Sequence, residues 1–170
     1  MAGIGHFGFG FAARPVAPKI HLAVLLIATE LIDILWGIFY FTGIDSGSVG
    51  MSSSPWSHSL FMSVIWSLLA ALLATRIYHD HRSGLIIGLL VFSHWVVDFI
   101  THPMGAIFGG NPLPPDLPLF FNSSSKVGLG LYNHSYAIAI ATDIGMLIGG
   151  VVIYIYYRIK IKMKTKGLSK

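Results

Sequence analysis

The chain has 170 residues, of which 54% are hydrophobic and only 11% are charged. A soluble domain carries roughly a quarter charged residues, so this composition excludes an ordinary soluble domain and indicates a membrane protein. The net charge of +4 does not point to nucleic acid, because six of the eleven basic residues lie in the last thirteen positions, as in the flank of a membrane span.

The first thirteen residues, MAGIGHFGFGFAA, are apolar but too few to cross a membrane, which takes about 20 residues in a helix. They carry no basic n-region, and Arg14 and Pro15 stand where a cleavage site needs small residues. We therefore expect the segment to be retained rather than removed as a signal peptide. The Gly and Phe content of residues 3–13, followed by Pro15 and Pro18, predicts a short re-entrant or interfacial helix.

Four later segments are long and apolar enough to span a membrane. We predict an all-α integral membrane protein with four transmembrane helices and the short N-terminal helix, built as a single membrane domain over residues 1–170. The connecting segments 43–56 and 105–133 are rich in Gly, Ser and Pro, which is typical of loops. The predicted spans are residues 20–42, 57–78, 84–104 and 135–157, followed by a basic tail over residues 158–170.

Basic residues are distributed unevenly among the connecting segments. Arg14 and Lys19 precede the first span, Arg76 and Arg82 lie between the second and third, and the basic tail follows the fourth. The two long loops hold a single basic residue, Lys126. Because cytoplasmic loops carry the excess of Lys and Arg, we predict that both termini are cytoplasmic and that the long loops face outward.

The third span contains the stretch SHWVVDFITH, which places His94, Asp98 and His102 at intervals of four. At about 100° per residue these side chains drift by only about 80° in total, so they share one helix face. Ionisable side chains are costly in hydrocarbon unless they are paired with one another or with a cation. The spacing therefore predicts one wall of a polar site.

Other spans carry polar residues at matching depths. At about 1.5 Å per residue from the cytoplasmic end, Glu30 lies about 15 Å and Asp33 about 20 Å into the first span. His58 opens the second span roughly level with His102, and Asp143 lies about 18 Å into the fourth. One polar residue in a span more often packs helices together, but this coincidence across helices favours a shared metal or catalytic site.

The remaining histidines are less informative. His6 allows two interpretations, because a re-entrant helix would lift it about 12 Å toward the midplane, whereas an interfacial helix would leave it at the surface; we favour the site slightly. His134, at the start of the fourth span, is ambiguous. His79 and His81 fall in a short cytoplasmic turn and His21 beside Lys19, where we expect solvated side chains.

The absence of cysteine leaves imidazole and carboxylate as the metal-binding groups. This donor set suits Zn²⁺ best, and also Mn²⁺ or Fe²⁺. A bound ion would lower the pKa of a water toward about 7 and polarise a phosphoryl oxygen. Because a site in the outer half of the bilayer would meet membrane lipids, we expect hydrolysis of a lipid-derived or phosphoester substrate. A carboxylate that is not a ligand, Glu30 or Asp143, would act as the catalytic base or support a ligand.

Two other classes of function stay open. A metal or proton transporter also places His and Asp near the midplane, although four spans without an evident repeat make that class less natural. A non-catalytic membrane protein would need no convergence of polar residues. The loop 105–133 is long for a connector, which leaves open whether it is a lid over the site or a flexible outer loop.

Four short motifs carry a resemblance to a known family: GHFGFGFAA, PWSHSL, SHWVVDFITHP and KVGLGLYNHS. Together with the acidic residues of the first span, they resemble the YdjM-like family of bacterial inner-membrane proteins, which are described as membrane-bound metal-dependent hydrolases. The resemblance implies location in the bacterial inner membrane and a metal-dependent hydrolytic activity. Carried over residue by residue, it implies that the metal ligands are His6, Asp33, His58, His94, Asp98 and His102.

Overall fold

The computed structural model describes residues 3–44, 54–107, 110–121 and 125–167. Helices account for most of these residues, and the strands form only one two-stranded antiparallel hairpin, so the predicted all-α class is confirmed. The helices are α1 (His6–Ala13), α2 (Leu22–Thr29), α3 (Leu31–Phe41), α4 (Leu60–Tyr78), α5 (His81–Thr101) and α6 (Tyr136–Gly167), and the strands are β1 (Leu117–Pro118) and β2 (Lys126–Val127).

Three helices in the described part of the chain, α4, α5 and α6, are each long and apolar enough to cross a membrane. They correspond to the predicted spans 57–78, 84–104 and 135–157. Helix α6 continues through most of the stretch predicted as a tail, because that stretch has neither Gly nor Pro before Gly167 and its Lys, Ile and Met residues tolerate a helix.

The predicted span 20–42 is divided into two helices. Helices α2 and α3 pass the length and hydropathy criteria only together, and they are bent by 60° at Glu30. In an uninterrupted helix the Thr29 carbonyl would accept the N–H of Asp33, but here it accepts a 2.6 Å hydrogen bond from Nδ1 of His94. The break therefore replaces a helical hydrogen bond by one with His94, a predicted site residue. Because α2 and α3 are separate helices, a fourth span remains a prediction.

Helix α5 lies at the centre of the fold and packs antiparallel against α4. The turn between them has His79 in the left-handed conformation, with φ of 50°. Asp80 caps the start of α5, and hydrogen bonds from Ser83 hold the pKa of the Asp80 carboxyl below its ordinary value. The buried face of α5 joins α2 and α3 in an apolar core that includes Leu25, Ile32 and Val91.

The helix predicted over residues 3–13 is the eight-residue α1, which ends before Pro15 as expected. It packs against α6 through glycine: a Cβ added to Gly8 would overlap the carbonyl of Met146, and one added to Gly150 would overlap the carbonyl of Gly8. This close approach brings α1 into the helix bundle, where His6 is buried.

We predict that Gly150→Ala lowers the free energy of unfolding in detergent by about 1–3 kcal/mol, the usual cost of overpacking. The matched control is Gly149→Ala, because a Cβ at Gly149 has no neighbour within 4 Å and a helical alanine is favoured over glycine. Thermal unfolding followed by circular dichroism compares the two variants. Equal stability of both would contradict the close contact between α1 and α6.

A cap formed by residues 110–121 and 125–133 covers the C-terminal end of α5. The N–H groups of residues 129–132 donate hydrogen bonds of 2.7–3.0 Å to the carbonyls of residues 99–102, which are the last four acceptors of that helix. The approach requires glycine at Gly128, whose φ is 154° and where a Cβ would overlap the His102 carbonyl. The described part of the loop 105–133 is thus a cap attached to the helix that carries the predicted site, and a lid over the site remains a prediction.

Candidate metal centre

Asp98 occupies the centre of a cluster of histidines. On α5 itself, its Oδ2 lies 3.4 Å from Nε2 of His94, and its Oδ1 lies 4.0 Å from Nε2 of His102. The carboxylate is 1% exposed and His94 is equally buried. The four-residue spacing therefore places these three side chains together on one inward face.

Two further residues reach Asp98 from other segments. His58, in the turn before α4, places Nε2 3.7 Å from Asp98 Oδ2 and 3.0 Å from Oδ1 of Asp33 on α3. The same Asp33 oxygen lies 3.3 Å from Nε2 of His94. Asp33 reaches this position because α3 begins at the Glu30 break and turns away from the direction of α2.

His6 approaches the other oxygen of Asp98. Its Nε2 lies 3.5 Å from Asp98 Oδ1, and its ring centroid lies 4.1 Å from that of His94, with the ring planes tilted by 32°. The structure therefore places His6 inside the cluster rather than at the surface. Asp143 on α6 supports this placement, because its Oδ1 accepts a 3.0 Å hydrogen bond from the N–H of Gly5 at the start of α1.

The hydrogen-bond partners of a histidine indicate which of its ring nitrogens carries hydrogen. Nδ1 of His94 must carry hydrogen, because its partner is the Thr29 carbonyl, which only accepts. His58 lies between two partners: its Nδ1 is 2.8 Å from the Ser57 hydroxyl, which can donate or accept, and its Nε2 makes a 3.0 Å hydrogen bond with Oδ1 of Asp33. In neutral His94, by contrast, the Nε2 lone pair points toward carboxylate oxygens. Facing lone pairs repel each other unless a cation lies between them.

The spacing of these atoms fits a metal ion. Ligand atoms at about 2.0–2.2 Å from one Zn²⁺ in tetrahedral geometry lie about 3.3–3.6 Å apart, which is close to the observed separations. Two groups bring their ligand atoms within 4.8 Å of one another: His6, His94 and Asp98, and Asp33, His58 and His94. Nε2 of His94 and Oδ1 of Asp98 are buried without a hydrogen bond in the part of the chain that the structure describes. A cation would satisfy both.

The two carboxylates predicted as catalytic lie outside these ligand groups. Glu30 is half-buried at the junction of α2 and α3, and its Oε1 has no hydrogen-bond partner among the described residues. Asp143 anchors the start of α1, as described above. His102, predicted as a ligand, also lies outside both groups, although its Nε2 is 4.0 Å from Oδ1 of Asp98. The exposed histidines His21, His79, His81 and His134 lie outside the groups as well, which matches the expectation of solvated side chains for the first three.

Sequence reasoning missed the groups that orient the histidines. These are the Thr29 carbonyl, the Ser57 hydroxyl and the carboxylate of Asp116, whose Oδ2 lies 3.3 Å from Nδ1 of His102. Backbone carbonyls leave no signal in a sequence, and one hydroxyl in a serine-rich loop is not distinctive. Asp116 did leave a signal, since it is the only acidic residue between 105 and 133.

The fold and the cluster define an all-α protein with helices able to cross a membrane and a buried His/Asp centre that can hold a metal ion. Comparisons with protein-family models, with curated proteins and with solved structures found no match to this chain.

Proposed function

We propose that this protein is a membrane-bound metal-dependent hydrolase that acts on a lipid-derived or phosphoester substrate. The observation that carries the proposal is the position of His94. Its Nδ1 is committed to the Thr29 carbonyl, while its buried Nε2 faces oxygens of both Asp33 and Asp98 at 3.3 and 3.4 Å. A divalent cation accounts for this arrangement, and the resemblance to the YdjM-like family supports the same class of protein.

The residues that would hold an ion form two groups that share His94: His6, His94 and Asp98, and Asp33, His58 and His94. His102 faces Oδ1 of Asp98 at 4.0 Å. Zn²⁺ suits this donor set best, with Mn²⁺ or Fe²⁺ as alternatives. When bound, such an ion supplies a water of lowered pKa and polarises a phosphoryl oxygen.

The surrounding residues would prepare the site. The Thr29 carbonyl fixes the tautomer of His94, so that this ring presents its Nε2 lone pair without reorganisation. Glu30 is the proposed general base, because its partly buried carboxylate has an oxygen without a hydrogen-bond partner within the described ranges. Asp143 has a supporting role: it holds α1, and through α1 it holds His6.

A lipid-derived substrate follows from the location of the cluster. The ligands lie on and between helices that are apolar enough to lie in a bilayer, where membrane lipids are the most abundant phosphoesters. We further propose that the protein resides in the bacterial inner membrane with both termini in the cytoplasm, because of the distribution of its basic residues.

Transport of a metal ion or of protons is a second candidate function. The specific observation in its favour is the 60° bend between α2 and α3 next to the cluster, since broken helices often surround the binding sites of transporters. A proton on His94, between two carboxylates, would also satisfy its Nε2.

Hydrolysis by the purified protein distinguishes these functions. We expect detergent-solubilised protein to release phosphate or a phosphorylated head group from phospholipid or phosphatidic acid vesicles. A chelator should abolish this activity, and Zn²⁺, Mn²⁺ or Fe²⁺ should restore it. Glu30→Gln should lower the rate by about 10²–10⁴-fold while leaving metal content unchanged, as expected for a general base. Metal-loaded protein that hydrolyses none of these lipids but moves metal ions or protons into proteoliposomes would favour transport.

A further inference from the structure

His102 differs from the other histidines of the cluster because its second partner comes from the cap. Its Nδ1 lies 3.3 Å from Oδ2 of Asp116, and its Nε2 lies 4.0 Å from Oδ1 of Asp98. An ionised carboxylate only accepts hydrogen bonds, so Asp116 keeps the ring hydrogen of neutral His102 on Nδ1. The Nε2 lone pair is then turned toward Asp98.

The backbone around Asp116 is held in place by three sets of contacts. Leu117, the next residue, is fully buried, and it pairs with Val127 in the β1–β2 hairpin. The Leu119 carbonyl accepts a hydrogen bond of 3.2 Å from the N–H of Phe61 at the start of α4. The second half of the cap is bound to the end of α5, as described above. The carboxylate is therefore presented to His102 from a defined backbone.

The same arrangement occurs three times around Asp98. His94, His58 and His102 each place Nδ1 against an oxygen and direct Nε2 toward the central carboxylate. The orienting oxygens come from three different segments, namely the end of α2, the turn before α4 and the cap. Metal-binding histidines commonly have such a partner, which fixes the tautomer and the direction of the ring.

We propose that Asp116 is a positioning residue of the metal centre: it holds His102 so that Nε2 joins His6 and the Oδ1 of Asp98 as a metal ligand. This inference rests on the proposed function, since it takes the cluster to be a metal centre. Nε2 of His6 and Nε2 of His102 both face this oxygen, at 3.5 and 4.0 Å. The cap thus contributes a side chain to the surroundings of the metal centre.

The test is the affinity of the full-length, detergent-solubilised protein for Zn²⁺, measured by competition with a chelating dye. We expect Asp116→Ala to weaken binding by about 10–100-fold, the usual cost of losing the partner of a metal-binding histidine. Asp116→Asn should lose less, because its amide oxygen still accepts a hydrogen bond. Asp80→Asn is the matched control, since it removes a carboxylate at the opposite end of α5 and should bind Zn²⁺ as the wild type does.

A double-mutant cycle with His102→Ala separates positioning of His102 from a general effect on the cap. If Asp116 acts through His102, Asp116→Ala should have no further effect on Zn²⁺ affinity once His102 has been removed. Additive losses would overturn the proposal, because Asp116 would then act through another group.

The remaining outcomes are equally decisive. Wild-type protein that binds Zn²⁺, together with Asp116→Ala of unchanged affinity, would overturn this inference and leave the proposed function standing. Wild-type protein without affinity for Zn²⁺, Mn²⁺ or Fe²⁺ would overturn both. Should Asp116→Ala fail to fold, nitrogen-15 NMR of the zinc-loaded wild type gives the answer. Hydrogen on Nδ1 of His102 supports the proposal, and hydrogen on Nε2 overturns it.

Discussion

Asp98→Asn is expected to lose its bound metal almost completely. The carboxylate is 1% exposed, and each of its oxygens faces two histidines: Oδ2 faces His94 and His58, whereas Oδ1 faces His6 and His102. Asp98 therefore faces four of the other predicted ligands. We expect the affinity for Zn²⁺ to fall by more than about 100-fold, beyond the loss caused by removing a partner that merely orients a ligand.

The physical reason lies in charge and in hydrogen-bonding capacity. Asn keeps the shape of Asp but carries no negative charge, so it attracts a cation only weakly. Its amide nitrogen would also place two hydrogens where a carboxylate oxygen stood, facing the Nε2 lone pairs of two histidines. Those hydrogens would satisfy the lone pairs without any metal, so the variant should still fold.

The measurement is the metal content of protein purified without chelators, compared among wild type, Asp98→Asn and Asp80→Asn. Asp80→Asn should keep the wild-type content, because Asp80 caps the far end of α5 and Asn is also a good N-cap residue. Size-exclusion chromatography checks that each variant is folded. Full retention of metal by Asp98→Asn would contradict a metal centre at this carboxylate.

Membrane topology is the second prediction with an all-or-none outcome. Reporter fusions after residues 50 and 115 should lie outside the cytoplasm, a fusion after residue 80 should lie inside, and an N-terminal tag should also lie inside. The reason is the uneven distribution of Lys and Arg among the connecting segments. Arg76 and Arg82 flank the turn between α4 and α5, and cytoplasmic loops carry the excess of basic residues.

The N-terminal tag is the informative member of this set, because α2 and α3 form either a broken span or a re-entrant pair. A broken span puts the tag on the cytoplasmic side, opposite the fusion after residue 50. A re-entrant pair puts both on the same side, which would reduce the protein to three spans. A cytoplasmic reporter after residue 115 would contradict the predicted orientation as a whole.

The sequence by itself determined the class of protein and one wall of the cluster. Low charge and long apolar stretches predict helices long enough to cross a membrane. This prediction needs no knowledge of how the helices pack, because the hydrophobic effect depends on the amount of apolar surface. The shared face of His94, Asp98 and His102 follows in the same way from helical periodicity, which needs no knowledge of neighbouring segments. The ends of α4 and α5 also lie close to the predicted ones.

Only the tertiary structure decided the features that depend on contacts between distant segments. The glycine contact between α1 and α6 brings His6 to Asp98, and the hydrogen bond from His94 to Thr29 accompanies the break that turns Asp33 into the cluster. The cap brings Asp116 to His102 because its N–H groups satisfy the last carbonyls of α5. Such contacts follow from backbone hydrogen bonding and close packing across the fold, and neither leaves a periodic pattern in the sequence.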